Sequence, residues 1–237
     1  MQRYFLTGTD TDAGKTLISS ALLLNARQLG FSTFGLKPVA AGCEHMNGEW
    51  QNSDARLLRQ YSTITASYPV HNPIALEAAI APHIAAQREG IALSVSSLFT
   101  ACQPALEIEA DRQIIEGAGG WLVPLNDTET LADFACALKL PVILVVGMRL
   151  GCINHAQLSA QAIQASGLPL AGWVANCLHA DMDAQQDNLD YLTQWFQRQN
   201  VEHLGTVPRF SGIDTSREEE LSAVAAHLHW PTIDVTA

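Results

Sequence analysis

Lysine is scarce in this chain, which has only Lys15, Lys37 and Lys139. The formal net charge is -11. Nucleic-acid wrapping needs clustered Lys and Arg to displace counterions, so so acidic a chain is not expected to bind DNA or RNA. No two of the five cysteines, Cys43, Cys102, Cys136, Cys152 and Cys177, stand at CxxC spacing. An odd, unpaired set suggests neither a disulfide framework nor a structural zinc site. No apolar run reaches membrane-spanning length, and the start of the chain runs into a Gly-rich loop without a signal-peptide core. The expectation is a cytoplasmic protein with no membrane partner. Aromatics are few at 7%, and the apolar content of 48% rests on Ala, Leu and Ile. A length of 237 residues suffices for one α/β domain with a sizeable core, expected to span 1–237.

Short apolar runs alternate with longer amphipathic stretches. Strands are expected at Arg3–Thr7, Thr33–Lys37, Arg112–Glu116, Pro141–Val146, Leu170–Asn176 and His203–Val207. Helices are expected at Thr16–Leu29, Asp54–Tyr61, Leu93–Leu106, Thr130–Leu138, Asn154–Ser166, Ala184–Gln199 and Glu218–Leu228. Runs such as Val142-Ile143-Leu144-Val145-Val146 are apolar on both faces, as in a parallel sheet covered by helices. The βα alternation implies an α/β fold: a doubly wound, mostly parallel sheet with helices on both faces and ligands at the carboxyl ends of its strands. The stretch 38–53 reads as a long polar excursion, facing substrate or merely solvent, and 62–90 has no clear pattern.

After the first strand comes Gly8-Thr9-Asp10-Thr11-Asp12-Ala13-Gly14-Lys15-Thr16, then a helix. This departs from G-x-x-x-x-G-K-[ST] at one place, Thr9 standing where the first glycine belongs. The Gly-Lys-Thr core and the strand–loop–helix context are kept. Such a loop aims backbone N–H groups at an anion. Lys15 would contact the β- and γ-phosphates of ATP and the Thr16 hydroxyl would bind Mg²⁺; the rival is an ordinary Gly-containing turn. Mg²⁺ prefers oxygen ligands and keeps waters, so Thr16 needs company. Glu116, at a strand end before Gly117-Ala118-Gly119-Gly120, is one candidate. Asp54 serves as a second ligand or as a plain helix cap; its position does not choose. Lys37 ends the second strand, either solvated or beside the γ-phosphate. At Gly151-Cys152-Ile153-Asn154-His155, free N–H groups of a helix start could hold a carboxylate, or Asn154 could simply be the N-cap.

Taken together, these segments resemble the dethiobiotin synthetase family over nearly the whole chain. The resemblance rests on Thr7-Gly8-Thr9-Asp10-Thr11 with Gly14-Lys15-Thr16, on Lys37-Pro38-Val39-Ala40, and on Asn52-Ser53-Asp54-Ala55. It rests equally on Glu116-Gly117-Ala118-Gly119-Gly120-Trp121, Gly151-Cys152-Ile153-Asn154-His155, and Ala171-Gly172-Trp173-Val174-Ala175-Asn176. The displaced glycine is the family's own form. The resemblance implies a P-loop NTPase fold and a cyclo-ligase that makes dethiobiotin from 7,8-diaminononanoate, CO₂ and ATP through a carbamate and its mixed anhydride with phosphate. By the same resemblance Lys37, Lys15 and Thr11 are catalytic, and Thr16, Asp54 and Glu116 bind Mg²⁺. ATP would lie on Asp12, Ala13, Gly14, Lys15, Thr16, Leu17, Asp54, Glu116, Gly117, Ala118 and Gly119, with Asn176, Cys177, Pro208, Arg209 and Phe210 on the adenine side. Substrate would meet Thr11, Lys37 and Ala41, and its tail carboxylate Leu150, Gly151, Cys152, Ile153, Asn154 and Tyr191 across a homodimer interface. Two departures stand out. Ala41 replaces the family's Ser, removing a hydroxyl near substrate. The acid that the family carries after the last strand has no clear match, Asp214 being the nearest.

Two rivals share this sheet. Switch ATPases of the partitioning type carry a second lysine early in the loop, where this chain has Asp10. Amidating synthetases usually add a glutaminase domain, for which 237 residues leave no room.

Overall fold

The computed structural model describes residues 1–179 and 181–232. In chain order its elements are β1 (Gln2–Gly8), α1 (Lys15–Gln28), β2 (Thr33–Leu36), β3 (Val39–Ala41), β4 (Glu44–Met46), β5 (Glu49–Gln51), α2 (Ser53–Gln60), α3 (Tyr68–His71), β6 (Ile74–Leu76) and α4 (Pro82–Glu89). There follow α5 (Val95–Leu106), β7 (Arg112–Glu116), α6 (Leu131–Leu138), β8 (Val142–Met148), α7 (Cys152–Ala165), β9 (Leu170–Cys177), α8 (Gln185–Arg198), β10 (Glu202–Val207) and α9 (Glu218–Ala225).

Six strands, those expected from the sequence, form one parallel sheet in the order β10-β9-β8-β1-β7-β2. Alternate residues of each central strand enter different cores, because successive side chains of a strand point to opposite faces. Tyr4, Leu6, Ile114, Ile143 and Val145 pack with Ile18 and Leu22 of α1 and with Leu221 and Val224 of α9. Phe5, Ile115, Leu144 and Val146 pack on the other side with Leu98 of α5, Phe134 of α6, Ile163 of α7 and Phe196 of α8. Both faces are covered, which is why β8 reads as an unbroken apolar run. Each such side chain contributes about 1.5–3 kcal/mol on burial.

The strand order fixes where a ligand can bind. β1 lies between β7 and β8, and the chain leaves it toward β2 on one side and later fills β8, β9 and β10 on the other. At that reversal the loop after β1 opens into a crevice at the carboxyl ends of the strands.

Two stretches without a clear sequence pattern also have structure. Within 38–53 lie β3 and an antiparallel hairpin, β4–β5, turning at Asn47 (φ 53°) and Gly48 (φ 87°). Within 62–90 lie α3, β6 and α4, and β6 pairs in parallel with β3, Val39 facing Ile74. Two residues, Lys37 and Pro38, separate the end of β2 from the start of β3. All five cysteines are free thiols, and no helix among the described residues is long and apolar enough to cross a membrane.

Candidate functional site

The loop after β1 reaches its shape through two left-handed residues, Asp12 (φ 61°) and Gly14 (φ 93°). Gly14 is the N-cap of α1 and has no side chain to satisfy the first-turn N–H groups, which are left for an anion. Glycine is required there twice over. Its φ suits no other residue well, and a Cβ would stand 2.0 Å from Asn176 Nδ2. Asn176, buried at the end of β9, donates from Nδ2 to Ala13 O at 2.9 Å and so buttresses the loop. The departure at Thr9 also has a physical reason. Thr9 N donates to Val145 O (2.9 Å), and its Oγ1 accepts from Gly147 N (3.4 Å), stapling the loop to β8. Gly8 holds the tight place instead, where a Cβ would meet Lys15 Cγ at 3.1 Å and Asp10 O at 3.2 Å.

Lys15 is buried and donates from Nζ to Asp10 O at 3.0 Å. Burial, then the neighbouring charge of Lys37, brings its pKa down to about 8. Lys37 lies just past β2 and is 3% exposed. Its Nζ donates to Glu116 Oε1 at 2.6 Å and to Gly117 O at 3.0 Å, and stands 3.2 Å from Asp54 Oδ2. Burial alone would lower its pKa. The charges of Glu116 and Asp54 and their hydrogen bonds outweigh that, so the net shift is upward and Lys37 is held as a cation.

Glu116 ends β7 and is fully buried. Its Oε1 also accepts from Thr16 Oγ1 at 2.9 Å, while its Oε2 is buried without a hydrogen-bond partner among the described residues. The cap question is answered by Asn52. Its Oδ1 accepts from Asp54 N at 2.9 Å as the N-cap of α2, which frees the Asp54 carboxylate to face Lys37. Thr16, Asp54 and Glu116 therefore offer hydroxyl and carboxylate oxygens around a point already electrostatically suited to a cation, with one buried carboxylate oxygen unused. That donor set fits Mg²⁺. Among the described residues no group of three His, Cys, Asp or Glu side chains could hold a metal unaided, so the remaining positions would go to water and phosphate.

Lys15, Thr16, Lys37 and Asp54 share a cleft of about 700 Å³ with Thr11, Asp12, Leu17, Ala41, Ala118 and Gly119, and Glu116 is buried outside its lining, hydrogen-bonded to Thr16 and Lys37. Gly117 N donates to Leu6 O at 2.9 Å, laying the glycine run beside β1. Sequence reasoning missed the apolar wall of this cleft, formed by Ile80, Leu122, Val123 and Pro124. Ile80 and Leu122 are exposed apolar side chains, a property that only the folded chain reveals.

Other candidates lie outside that cleft's lining. Cys177 is buried at the end of β9. Pro208, Arg209 and Phe210 follow β10, and the Arg209 guanidinium donates to Leu178 O, tying the two loops together. Asp214 turns its carboxylate onto Ser216, accepting from its N–H and hydroxyl. Gly151 (φ 94°), not Asn154, is the N-cap of α7, again without a side-chain cap. Leu150 is 94% exposed there, with Cys152, Ile153 and Asn154 in the first turn behind it. Tyr191 of α8 is exposed and accepts from Gln157 Nε2 at 3.0 Å. Within one chain this group does not join the phosphate-loop cleft. Arg149 and Leu150 instead line a second cavity, of about 500 Å³.

The family profile described as an AAA domain matches residues 2–217. The ATP-dependent dethiobiotin synthetase BioD of Cellvibrio japonicus is 56% identical over 208 residues, 88% of this chain and 90% of that protein. The protein of the same name from Chromohalobacter salexigens is 50% identical over 219 residues (89% and 91%), and that of Pseudomonas aeruginosa strain UCBPP-PA14 is 47% identical over 228 (96% of each). Among solved structures, the septum site-determining protein MinD with Mg-ADP from Pyrococcus horikoshii aligns over 94% of this chain and 88% of its own, at TM-score 0.52 and 14% identity. The MinC:MinD complex from Aquifex aeolicus aligns over 95% of each chain at TM-score 0.53 and 10% identity. At such identities these two show the fold alone.

Proposed function

The chain belongs to the ATP-dependent dethiobiotin synthetase family, within the AAA-domain group of P-loop NTPases, and from that premise we propose that it closes a cyclic urea. The reaction takes 7,8-diaminononanoate, CO₂ and ATP to dethiobiotin, ADP and phosphate. One amine adds CO₂ to give a carbamate, the carbamate oxygen takes the γ-phosphoryl group, and the second amine attacks the carbonyl carbon and expels phosphate. The observation that carries this reading is the convergence of Lys15, Lys37, Thr16 and Asp54 in one cleft, with Glu116 buried against Thr16 and Lys37.

Carbamate and triphosphate are both anions, and their approach needs positive charge in place before reaction. Lys15 turns from Asp10 O to the phosphates, adding its ammonium to the N–H groups of the loop. Lys37, held cationic by Glu116 and Asp54, faces the reacting carbamate. Thr11 donates its hydroxyl to the carbamate. Thr16, Asp54 and Glu116 would hold Mg²⁺, which when bound supplies charge neutralisation on the phosphate oxygens. Gly117–Gly119 approach the nucleotide closely, and Asn176, Cys177 and Pro208–Phe210 border its base. Ala41 leaves substrate binding to its neighbours.

Residues 1–237 would act as one ligase domain in the cytoplasm. The separation of α7's start from the cleft is accounted for if Leu150–Asn154 and Tyr191 serve a partner's site, giving a homodimer with shared active sites. Two crippled proteins, Lys37→Ala and Asn154→Ala, would then recover activity on subunit exchange, because a mixed dimer contains one undamaged site. No recovery after exchange verified by mass spectrometry excludes the shared arrangement. For the activity itself, diaminononanoate with bicarbonate should stimulate ADP release and yield dethiobiotin. Stimulation by DNA or lipid, with no dethiobiotin formed, would instead favour a switch ATPase.

A further inference from the structure

Asp10 sits between Thr9 and Thr11 in the phosphate loop, and its two polar ends face different ways. Its backbone carbonyl accepts from Lys15 Nζ at 3.0 Å. Its carboxylate Oδ2 forms an ion pair with Arg149 Nη2 and accepts from His155 Nδ1, each at 3.0 Å. A carboxylate only accepts, so Nδ1 of His155 carries a proton. Arg149 lies in the turn after β8 and His155 in the first turn of α7, so an ion pair and a hydrogen bond from separate places hold one oxygen. The loop needs such tethers. Asp12, two residues on, has φ 61°, a conformation that persists in an L residue only when its surroundings enforce it.

Thr11 follows this anchor directly and lines the cleft. We propose that Asp10 is a positioning residue: the clamp from Arg149 and His155 fixes the Asp10–Thr11 peptide and thereby aims the Thr11 hydroxyl at the reacting end of the substrate. This rests on the role given to Thr11 under the proposed function. The side chains of Asp10, Arg149 and His155 are 30%, 37% and 42% exposed, so the clamp adds little to global stability. Its effect belongs in turnover rather than in the melting temperature.

The test is a double-mutant cycle on kcat for dethiobiotin formation, using Asp10→Ala, Thr11→Val and their combination, each with a thermal melt. Asp10→Ala should lower kcat by about 10- to 100-fold, the scale of a small misplacement. The double variant should be no slower than Thr11→Val alone, because Asp10 acts through Thr11. His155→Ala should fall in the same direction, and His155→Asn, whose amide nitrogen takes the place of Nδ1, should recover most of the rate. If Asp10→Ala does not fold, His155→Ala replaces it in the cycle. Normal kcat in Asp10→Ala, multiplicative losses in the double variant, or His155→Asn no better than His155→Ala each overturns the inference. A Thr11→Val protein with full kcat overturns the role of Thr11 and this inference with it. Absence of dethiobiotin from the wild-type protein would instead overturn the activity itself.

Discussion

Removing the Lys37 ammonium should unsettle the fold as well as the chemistry. Glu116 is fully buried and Lys37 nearly so, at 2.6 Å from each other. Lys37→Met keeps the volume of the stem but leaves a buried carboxylate whose other oxygen already lacks a partner among the described residues. Deleting one member of a buried pair costs about 3–5 kcal/mol, most of it the uncompensated charge that remains. The Asp54 contact adds little, since that carboxylate is 37% exposed and water can replace the ammonium. At about 2–4 °C per kcal/mol for a chain of this size, the melting temperature should fall by roughly 6–20 °C. Adding Glu116→Gln removes the orphaned charge while keeping an oxygen for Thr16, so the double variant should melt well above Lys37→Met. The single variant should also gain more from millimolar Mg²⁺ than the wild-type protein does, because a metal on Thr16, Asp54 and Glu116 replaces the lost cation. Differential scanning calorimetry of the three proteins with and without Mg²⁺ decides the matter. A Lys37→Met protein that melts within about 2 °C of wild type would refute the coupling between this pair and the fold. A double variant no more stable than the single one would refute its assignment to Glu116.

Asn52→Ala should cost about 0.5–2 kcal/mol as the loss of a helix cap, measured by urea unfolding, and leave turnover near normal in the folded fraction. Asp54→Asn should do the reverse, keeping stability and weakening Mg²⁺-dependent nucleotide binding in calorimetry; equal effects of both on binding would contradict the division of labour. Gly14→Ala should cost about 1–2 kcal/mol for its left-handed backbone and push Asn176 off Ala13 O, abolishing nucleotide binding, with Asn176→Ala restoring stability but not binding. The His71 pKa is lowered, chiefly by burial; Nδ1 donates to Gly35 O at 2.7 Å and the buried Nε2 has no partner among the described residues. The unfolded chain thus takes up the proton first, and stability should fall as pH drops below about 6.5, less so in His71→Asn, which keeps the Nδ1-like donor; parallel urea titrations from pH 8 to 5 with identical slopes for the two proteins would refute this.

The sheet was legible because its chemistry is local. β8 is apolar at every place and β7 ends on an acid before glycines, so both the strands and the carboxylate at the crevice could be read directly. Other features depended on partners distant in sequence. Asn52 and Asp54 flank Ser53 and either could have capped α2; only the fold places the Asp54 carboxylate against Lys37. The same ambiguity put the start of α7 at Asn154 rather than at Gly151. The β4–β5 hairpin carried its turn signal, Asn47-Gly48, but its three-residue strands are mostly solvated and show no apolar alternation. β3 and β6 are three residues each and pair across an intervening hairpin and two helices, which no periodicity reveals. The cleft's apolar wall joins Ile80 to Leu122–Pro124 and exists only in three dimensions.

The surroundings of the loop also weigh against the switch-ATPase reading more than the fold can. MinD shares the sheet, and a shared sheet does not settle function. Partitioning-type ATPases place a lysine early in the loop, where this chain has Asp10. Here Arg149 Nη2 and His155 Nδ1 lie 3.0 Å from the Asp10 carboxylate. A lysine at that place would bring its ammonium against a guanidinium and an imidazole N–H, with no acid taking the place of Asp10. The acid and its two partners therefore form one complementary unit, and changing the loop's sign would require changing β8's exit and α7's first turn with it. On the proposed function, the positive charge that the chemistry needs would come instead from Lys37, which Glu116 and Asp54 hold cationic.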